Sequence, residues 1–182
     1  MMAESLLPAA SPVSLNEARG WLRLGATIDD AVIAGLIRAA TNICEAFIGR
    51  WLIVRAGEET VPLGGGAVGP GVRPVVAVDA VALLAPGGGE TMLDEAAYRV
   101  RIARDGAASI VIHDPGAADR ARIAFRAGMA AEANGVPEAI RQGIVRMTQH
   151  LHEARDGGGA APPAAIAALW QPWRRLTLGG RP

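Results

Sequence analysis

"TIDDAVIAGLIRAATNICEAFIGRWLIVRAGEETVPL", residues 27–63, contains the change of pattern on which the fold class turns. Through its first two-thirds apolar residues return at helical spacing, so that Ile33, Leu36, Ile37, Ala40, Cys44, Phe47 and Ile48 share one face. Thr27 stands as N-cap with Asp30 three positions on, and Asp29 and Asp30 suit the positive end of the helix dipole. Gly49 supplies a C-terminal stop. From Trp51 the period becomes two. A helix over 27–49 followed by strands is predicted, and the chain reads as α+β.

Downstream, "WLIVR" (51–55), "ETVPL" (59–63), "VVAVDAVALL" (75–84), "YRVRIA" (98–103), "SIVIH" (109–113) and "ARIAF" (121–125) are β-type runs parted by Gly, Pro and Asp. Tyr98, Val100 and Ile102 alternate with Arg99 and Arg101, the pattern of a half-buried antiparallel strand. "RDGA" (104–107) turns that strand back onto "SIVIH" as a hairpin. "PLGGGAVGPGVRP" (62–74) and "APGGGE" (85–90) carry enough glycine to be mobile loops.

On the N-terminal side a helix is predicted over 14–24. Ser14 caps it, Glu17 completes a capping box, and Val13 with Ala18 forms the hydrophobic staple. Leu15, Ala18, Trp21 and Leu22 share its apolar face, and Gly25 ends it. A third helix is predicted over 137–155, with Pro137 in the first position, Glu138 in the first turn and an apolar stripe of Ile140, Ile144, Met147 and Leu151. Gly157–Gly159 stop it; Pro162 or Pro163 opens a short helix that runs to about Trp170, and Pro172 breaks that one. The expected architecture is a small helical body, two N-terminal helices plus one long C-terminal helix, with an antiparallel β region inserted at 51–126. Residues 1–156 form this body and 157–182 a hinged C-terminal tail.

Composition narrows the function. At 182 residues, 51% hydrophobic and 20% charged, the chain is globular, but only 4% is aromatic and Ala and Gly thin the core. All 18 basic residues are Arg, which fits a GC-rich genome better than a function. The net charge is zero, so a nonspecific grip on a polyanion is disfavoured. Residues 1–98 hold eleven Asp or Glu against six Arg, and residues 99–182 hold seven against twelve, a polarity that lets copies meet head to tail. The single Cys44 allows no disulfide framework. The N-terminus lacks a basic signal region and no apolar run reaches 18 residues, so an intracellular chain without membrane contact is expected.

Reactive constellations do not assemble. His150, His152 and Glu153 suggest a metal at first sight, but helical residues two apart point about 200° away from each other, and no H-E-x-x-H spacing is present. Cys44 has no His nearby in sequence, and Ser109 lies in a strand without a nucleophile elbow. "LGGGAVGPG" lacks the Lys-Ser/Thr of a phosphate loop, and capping accounts for Asp29 and Asp30. No catalytic residue, cofactor or metal is expected, and the chain does not read as an enzyme.

Two binding readings remain. Arg99, Arg101, Arg120, Arg122 and Arg126 suggest a nucleic-acid patch on the sheet, although no aromatic platform accompanies them. The other is a structural interaction module. Its glycine-hinged tail carries Leu169, Trp170, Trp173, Arg174, Arg175 and Leu176, and Trp and Arg are enriched among interface hot spots. On this reading, removing residues 160–182 leaves a folded core. A tail folded back on its own core is the competing possibility.

The ordered segments "VSLNEARGWLRL" (13–24), "DDAVIAGLIRAA" (29–40), "EAFIGR" (45–50), "RPVVAVDAV" (73–81), "YRV" (98–100), "IAFRAGM" (123–129), "VPEAIRQGIVRMTQHLHEAR" (136–155) and "LWQPWRRL" (169–176) resemble the head–tail connector, or adaptor, proteins of long-tailed bacteriophages and phage-derived gene transfer agents. The likeness runs from about Pro12 to Leu178; Met129 and His152 stand where that family commonly has aromatics. The resemblance implies a non-enzymatic ring, twelve copies under the portal protein. It would extend the DNA channel and offer its far face to a tail stopper or head-completion protein. Its C-terminal segment would reach the portal through Leu169, Trp170, Trp173, Arg174, Arg175 and Leu176. DNA would pass without specific binding, through a lumen kept neutral or acidic by the N-terminal half. Assembly in the bacterial cytoplasm, then residence in the neck of the particle, follows from the same likeness. The loops at 64–71 and 86–89 would order on assembly.

Overall fold

The computed structural model describes residues 4–5, 11–23, 30–154 and 161–175. The fold is α+β. Two compact units interleave along the sequence: a helical unit of Ala10–Ile53 with Ala130–Pro182, and a β unit of Met1–Ala9 with Val54–Met129. The division therefore differs from the expected cut at residue 156, because the described tail residues belong with the helices. It also dissolves the charge polarity read along the chain. The β unit has ten acidic residues and eight Arg, and the helical unit eight and ten, so the acidic N-terminal half is shared between both.

The helical unit contains α1 (Leu15–Leu22), α2 (Asp30–Ile48), α3 (Glu138–Glu153) and α4 (Ala164–Trp170). Ser14 caps α1, its Oγ accepting the Glu17 N–H at 3.1 Å, and Val13 and Ala18 are buried as a staple requires. Glu17 does not close a capping box. Its carboxylate receives Arg141 Nη2 of α3 at 2.8 Å, and Arg141 Nε donates to the Pro12 carbonyl at 3.1 Å. One guanidinium thus ties the start of α1 to α3. The helix ends at Arg23, in the left-handed region at φ 51°, whose N–H returns to the Arg19 carbonyl. The predicted stop Gly25 and cap Thr27 lie outside the described residues.

Gly49, at φ 68°, ends α2 as predicted and donates to the Glu45 carbonyl at 2.8 Å. Ile33, Ile37, Ala40, Cys44 and Ile48 of α2 are buried, and so are Ile140, Ile144 and Met147 of the α3 that packs on it. Thr41 and Thr148 are buried too, each satisfied by donating to the carbonyl four residues back, at 2.8 and 2.9 Å. By length and hydropathy α2 would qualify as a membrane span. Its packing on α3 gives its apolar stripe a use within the unit.

Of the run "WLIVR" only Arg55 belongs to a strand, and residues 51–54 do not. Leu52 and Ile53 are buried in the helical unit, where Glu45 Oε1 accepts the Leu52 N–H at 2.8 Å. Ile53 bridges Ala130, whose N–H donates to the Leu52 carbonyl at 3.0 Å. The chain thus leaves the helical unit and re-enters it at adjacent points, so the β region is an insertion. Pro137 sits at the N-cap of α3 rather than inside its first turn, its carbonyl accepting the Ile140 N–H at 2.9 Å.

The β unit is antiparallel throughout. Its strands are β1 (Glu4–Ser5), β2 (Arg55–Pro62), β3 (Val75–Leu84), β4 (Glu90–Met92), β5 (Tyr98–Ile102), β6 (Ala108–Ile112) and β7 (Arg120–Ala127). Five form a sheet in the order β1-β2-β7-β3-β4, and β5 pairs with β6. Along β7, Ala121, Ile123, Phe125 and Ala127 are buried, facing Val61 across from Ala121 on β2 and Val81 across from Ile123 on β3. Register shifts at Val75/Ala77 and Val78/Ala80 interrupt β3, which is why "VVAVDAVALL" shows no clean alternation. The predicted hairpin is present: Gly106, at φ 77°, occupies its turn, and a Cβ there would overlap Pro74.

The loop at 62–74 is a built connection. Val68 exchanges backbone hydrogen bonds with Ile110 of β6 at 2.9 and 2.7 Å. Gly71 N–H donates to the buried Glu59 carboxylate at 2.9 Å, and Arg73 pairs with Asp105 at 2.5 Å. Gly69 crosses the hairpin so closely that any Cβ would overlap the Ala108 carbonyl. Gly69 and Gly71 permit this close approach, whereas Gly64, Gly65 and Gly66 stand in open space. The turn at 86–89 is exposed and closed by Gly88 N–H to the Ala85 carbonyl at 3.0 Å.

Candidate interaction surface

The tail residues predicted to contact a partner begin at α4. Pro163 caps α4, its carbonyl accepting the Ile166 and Ala167 N–H groups at 2.9 Å. Ile166 and Trp170 then point into the helical unit, and Trp170 is 0% exposed. Its indole rests in a notch that exists because residue 143 of α3 has no side chain: a Cβ there would stand 2.7 Å from Trp170 Cε2 and closer still to Nε1. The Nε1–H donates to the Ile140 carbonyl at 3.2 Å, and the ring meets Phe47 at a centroid distance of 5.9 Å. Trp170 is a core residue of its own chain, which removes it from the surface offered by the free protein.

The next residues close the end of α2. Arg174 holds its guanidinium 5.2 Å from the centre of the Phe47 ring, in a last turn where α2 itself has no basic residue. Arg175 N–H donates to the Ile48 carbonyl at 2.9 Å, satisfying one of the acceptors a helix end leaves open. Leu169 and Trp173 are half-buried and Arg174 exposed; Leu176 lies outside the described residues. Trp173 Nε1 is enclosed and has no hydrogen-bond partner among the described residues, whereas the Trp170 donor is used.

On the outer face of β7, Arg122 pairs with Glu90 and lies 3.9 Å from Glu58. Arg126 pairs with Asp79 at 3.1 Å, and Arg120 meets Asp119 at 3.4 Å. Three of the five arginines proposed for nucleic acid are thus partly neutralised within the sheet. Arg99 and Arg101 are exposed on β5 and take no part in an ion pair among the described residues. Two free guanidinium groups give little counterion release.

Cys44 is fully buried, and loss of hydration, with a lesser effect of Glu45, pushes its thiol far above the ordinary range. The thiolate is the reactive species, so a thiol reagent at pH 8 is expected to label the native chain only over hours and the urea-unfolded chain within minutes. Stoichiometric labelling of the native chain within minutes would contradict this burial. His150 and His152 are half-buried on α3, and no group of three metal-ligating side chains occurs among the described residues.

Trp21, on the predicted apolar face of α1, is 43% exposed. Its Nε1 donates to Gln149 Oε1 of α3 at 2.8 Å, and Gln149 Nε2 donates in turn to Glu153 at 2.8 Å. Arg146 lies 5.7 Å from the ring centre.

No family model and no curated protein matches this chain. Solved structures do. Over 100% of both chains it is similar to a chain in the neck of an empty gene transfer agent particle computed with C6 symmetry, at 28% identity and a TM-score of 0.77. The same full coverage holds for a chain of the virion of the native gene transfer agent particle, at 27% and 0.75. It holds again for the neck of the native particle computed with C12 symmetry, at 26% and 0.75. From end to end, the chain shares the fold of gene transfer agent neck components, in agreement with its resemblance to the head–tail connectors.

Proposed function

We propose that this chain is a structural, non-enzymatic subunit of the neck of a phage-like particle. Twelve copies would form an adaptor ring beneath the portal, extending the DNA channel and meeting a tail stopper or head-completion protein below. The observation that carries this reading is the full-length similarity to chains from gene transfer agent necks, at identities of 26–28%. The internally paired arginines of β7 support it as well, since a surface whose guanidinium groups are already matched lets DNA slide past.

The portal-facing role of the C-terminal segment rests on Leu169, Trp173, Arg174, Arg175 and, beyond the described residues, Leu176. Trp170 would contribute from beneath, by fixing where that segment sits. In producing cells that lack the chain, electron microscopy is expected to show DNA-filled heads and tails that are not joined. The full-length chain supplied in trans is expected to restore joined particles, and a Trp173→Ala/Arg174→Glu chain to restore few. Joined particles in the absence of the chain would overturn the neck assignment.

A further inference from the structure

We infer that Trp21, Arg23, Val32 and Arg146 form the face by which one copy of this chain meets the next, and that the opposing face is Met92, Asp94, Glu95 and Asp114 of the β unit. The inference rests on the proposed ring and names the surfaces that would close it.

On the helical side, the indole of Trp21 is held before any partner arrives. Gln149 fixes its N–H at 2.8 Å and Arg146 stacks on its face, so little side-chain freedom is left to lose on binding. Val32, 53% exposed, lies in the first turn of α2, and an Arg19–Asp30 ion pair ties that turn to the end of α1. Trp21 and Val32 therefore occupy the same end of the α1–α2 pair. Among the described residues the balance of unpaired charge there is positive, two Arg against the one Glu153 carboxylate that accepts from Gln149. Arg23 and Arg146 are exposed and form no ion pair among the described residues, whereas Asp30 is taken by Arg19. A fixed Trp beside free Arg has the make-up of an interface hot spot.

The β unit carries a complement. His113 N–H donates to the Ala97 carbonyl at 3.0 Å, which closes the turn at Glu95–Ala97 onto the end of β6 and brings Asp94, Glu95 and Asp114 to one place. All three are exposed, and none forms an ion pair among the described residues. Met92, 62% exposed, stands two residues from Asp94 and gives an adaptable apolar surface for a tryptophan edge. The sign of each face follows its unit: the helical unit has two more Arg than acids and the β unit two more acids than Arg. Two different, complementary faces on one chain make a heterologous contact, which closes into a ring when repeated by rotation.

A charge exchange tests the assignment on the full chain. Sedimentation of the wild type at low salt is expected to show self-association that weakens as salt is added. Arg23→Glu/Arg146→Glu and Glu95→Arg/Asp114→Arg are each expected to weaken association by about a hundredfold, because each places like charges opposite one another. An equimolar mixture of the two variants is expected to recover it, since each reversed face then finds its complement. Trp21→Ala, checked for folding by circular dichroism, is expected to weaken association by about thirtyfold. A wild type that stays monomeric to about millimolar concentration, or variants that associate like it, would overturn the inference. So would a mixture that fails to recover. The neck assignment is judged separately, by the joining of heads to tails in cells.

Discussion

Trp170→Ala is expected to destabilise the helical unit by about 3–5 kcal/mol, the range for truncating a large aromatic in a packed core. The indole is 0% exposed, its N–H bonded at 3.2 Å to Ile140, its ring against Phe47 and in the notch at Gly143. Alanine would remove those contacts, leave a cavity between α2, α3 and α4, and loosen the segment that places Arg174 over Phe47 and Arg175 against Ile48. Native-state hydrogen exchange of the α3 amides is the suitable measurement, because two compact units need not unfold as one. A solvent-exposed anchor would behave otherwise, with substitutions staying within about 0.5 kcal/mol. An exchange profile of α3 unchanged by Trp170→Ala would show that the tail does not contribute to this core. The same reasoning corrects the expected effect of removing residues 160–182: the truncation takes away Ile166 and Trp170, and with them part of the core it was expected to spare.

Much of this fold was legible in the sequence because its signals are local. The α2 stripe, the Gly49 stop, the Ser14 cap and the Arg104–Ala107 turn each depend on residues within about one or two turns of chain, and each is found where the pattern put it. Elements held by partners far along the chain were less visible. β4 at Glu90–Met92 is an exposed edge strand defined by pairing with β3, not by its own alternation. Leu52 and Ile53 look like strand residues, but their company comes from Ala130, nearly eighty positions away. The glycines of the 62–74 loop signalled freedom; Gly69 and Gly71 serve contact instead, with Ala108 and Glu59, while Gly64, Gly65 and Gly66 stand in open space. The interaction surface was hardest to read. Sequence marks Trp and Arg as interface types without saying which Trp is covered, and the four tryptophans differ in nothing local that separates buried Trp170 from exposed Trp21. The covering group is a glycine on another helix, and its meaning appears only in three dimensions.

That glycine supports the second large effect. On helix propensity alone Gly143→Ala should help, since alanine in a helix interior is favoured over glycine by about 1 kcal/mol. Here the added methyl would stand 2.7 Å from Trp170 Cε2 and nearer to Nε1, a distance at which something must move. Neither side has easy room: α3 is fixed by Ile140 and Ile144 in the core, and the indole is enclosed by Phe47 and bonded to the Ile140 carbonyl. The expected response is expulsion of Trp170 and undocking of α4, a loss of about 2–4 kcal/mol once the propensity gain is offset against the lost aromatic packing. Exchange protection of α3 and the emission of the tryptophan, shifted to the red as the ring meets water, would report it. Because both substitutions break one contact, their effects should not add: Gly143→Ala in a Trp170→Ala background is expected to be neutral or mildly stabilising, so the coupling is at least as large as the loss Gly143→Ala causes in the wild type. Independent, additive losses would mean that the notch and the ring are not partners, and the account of how this tail is held would have to be given up.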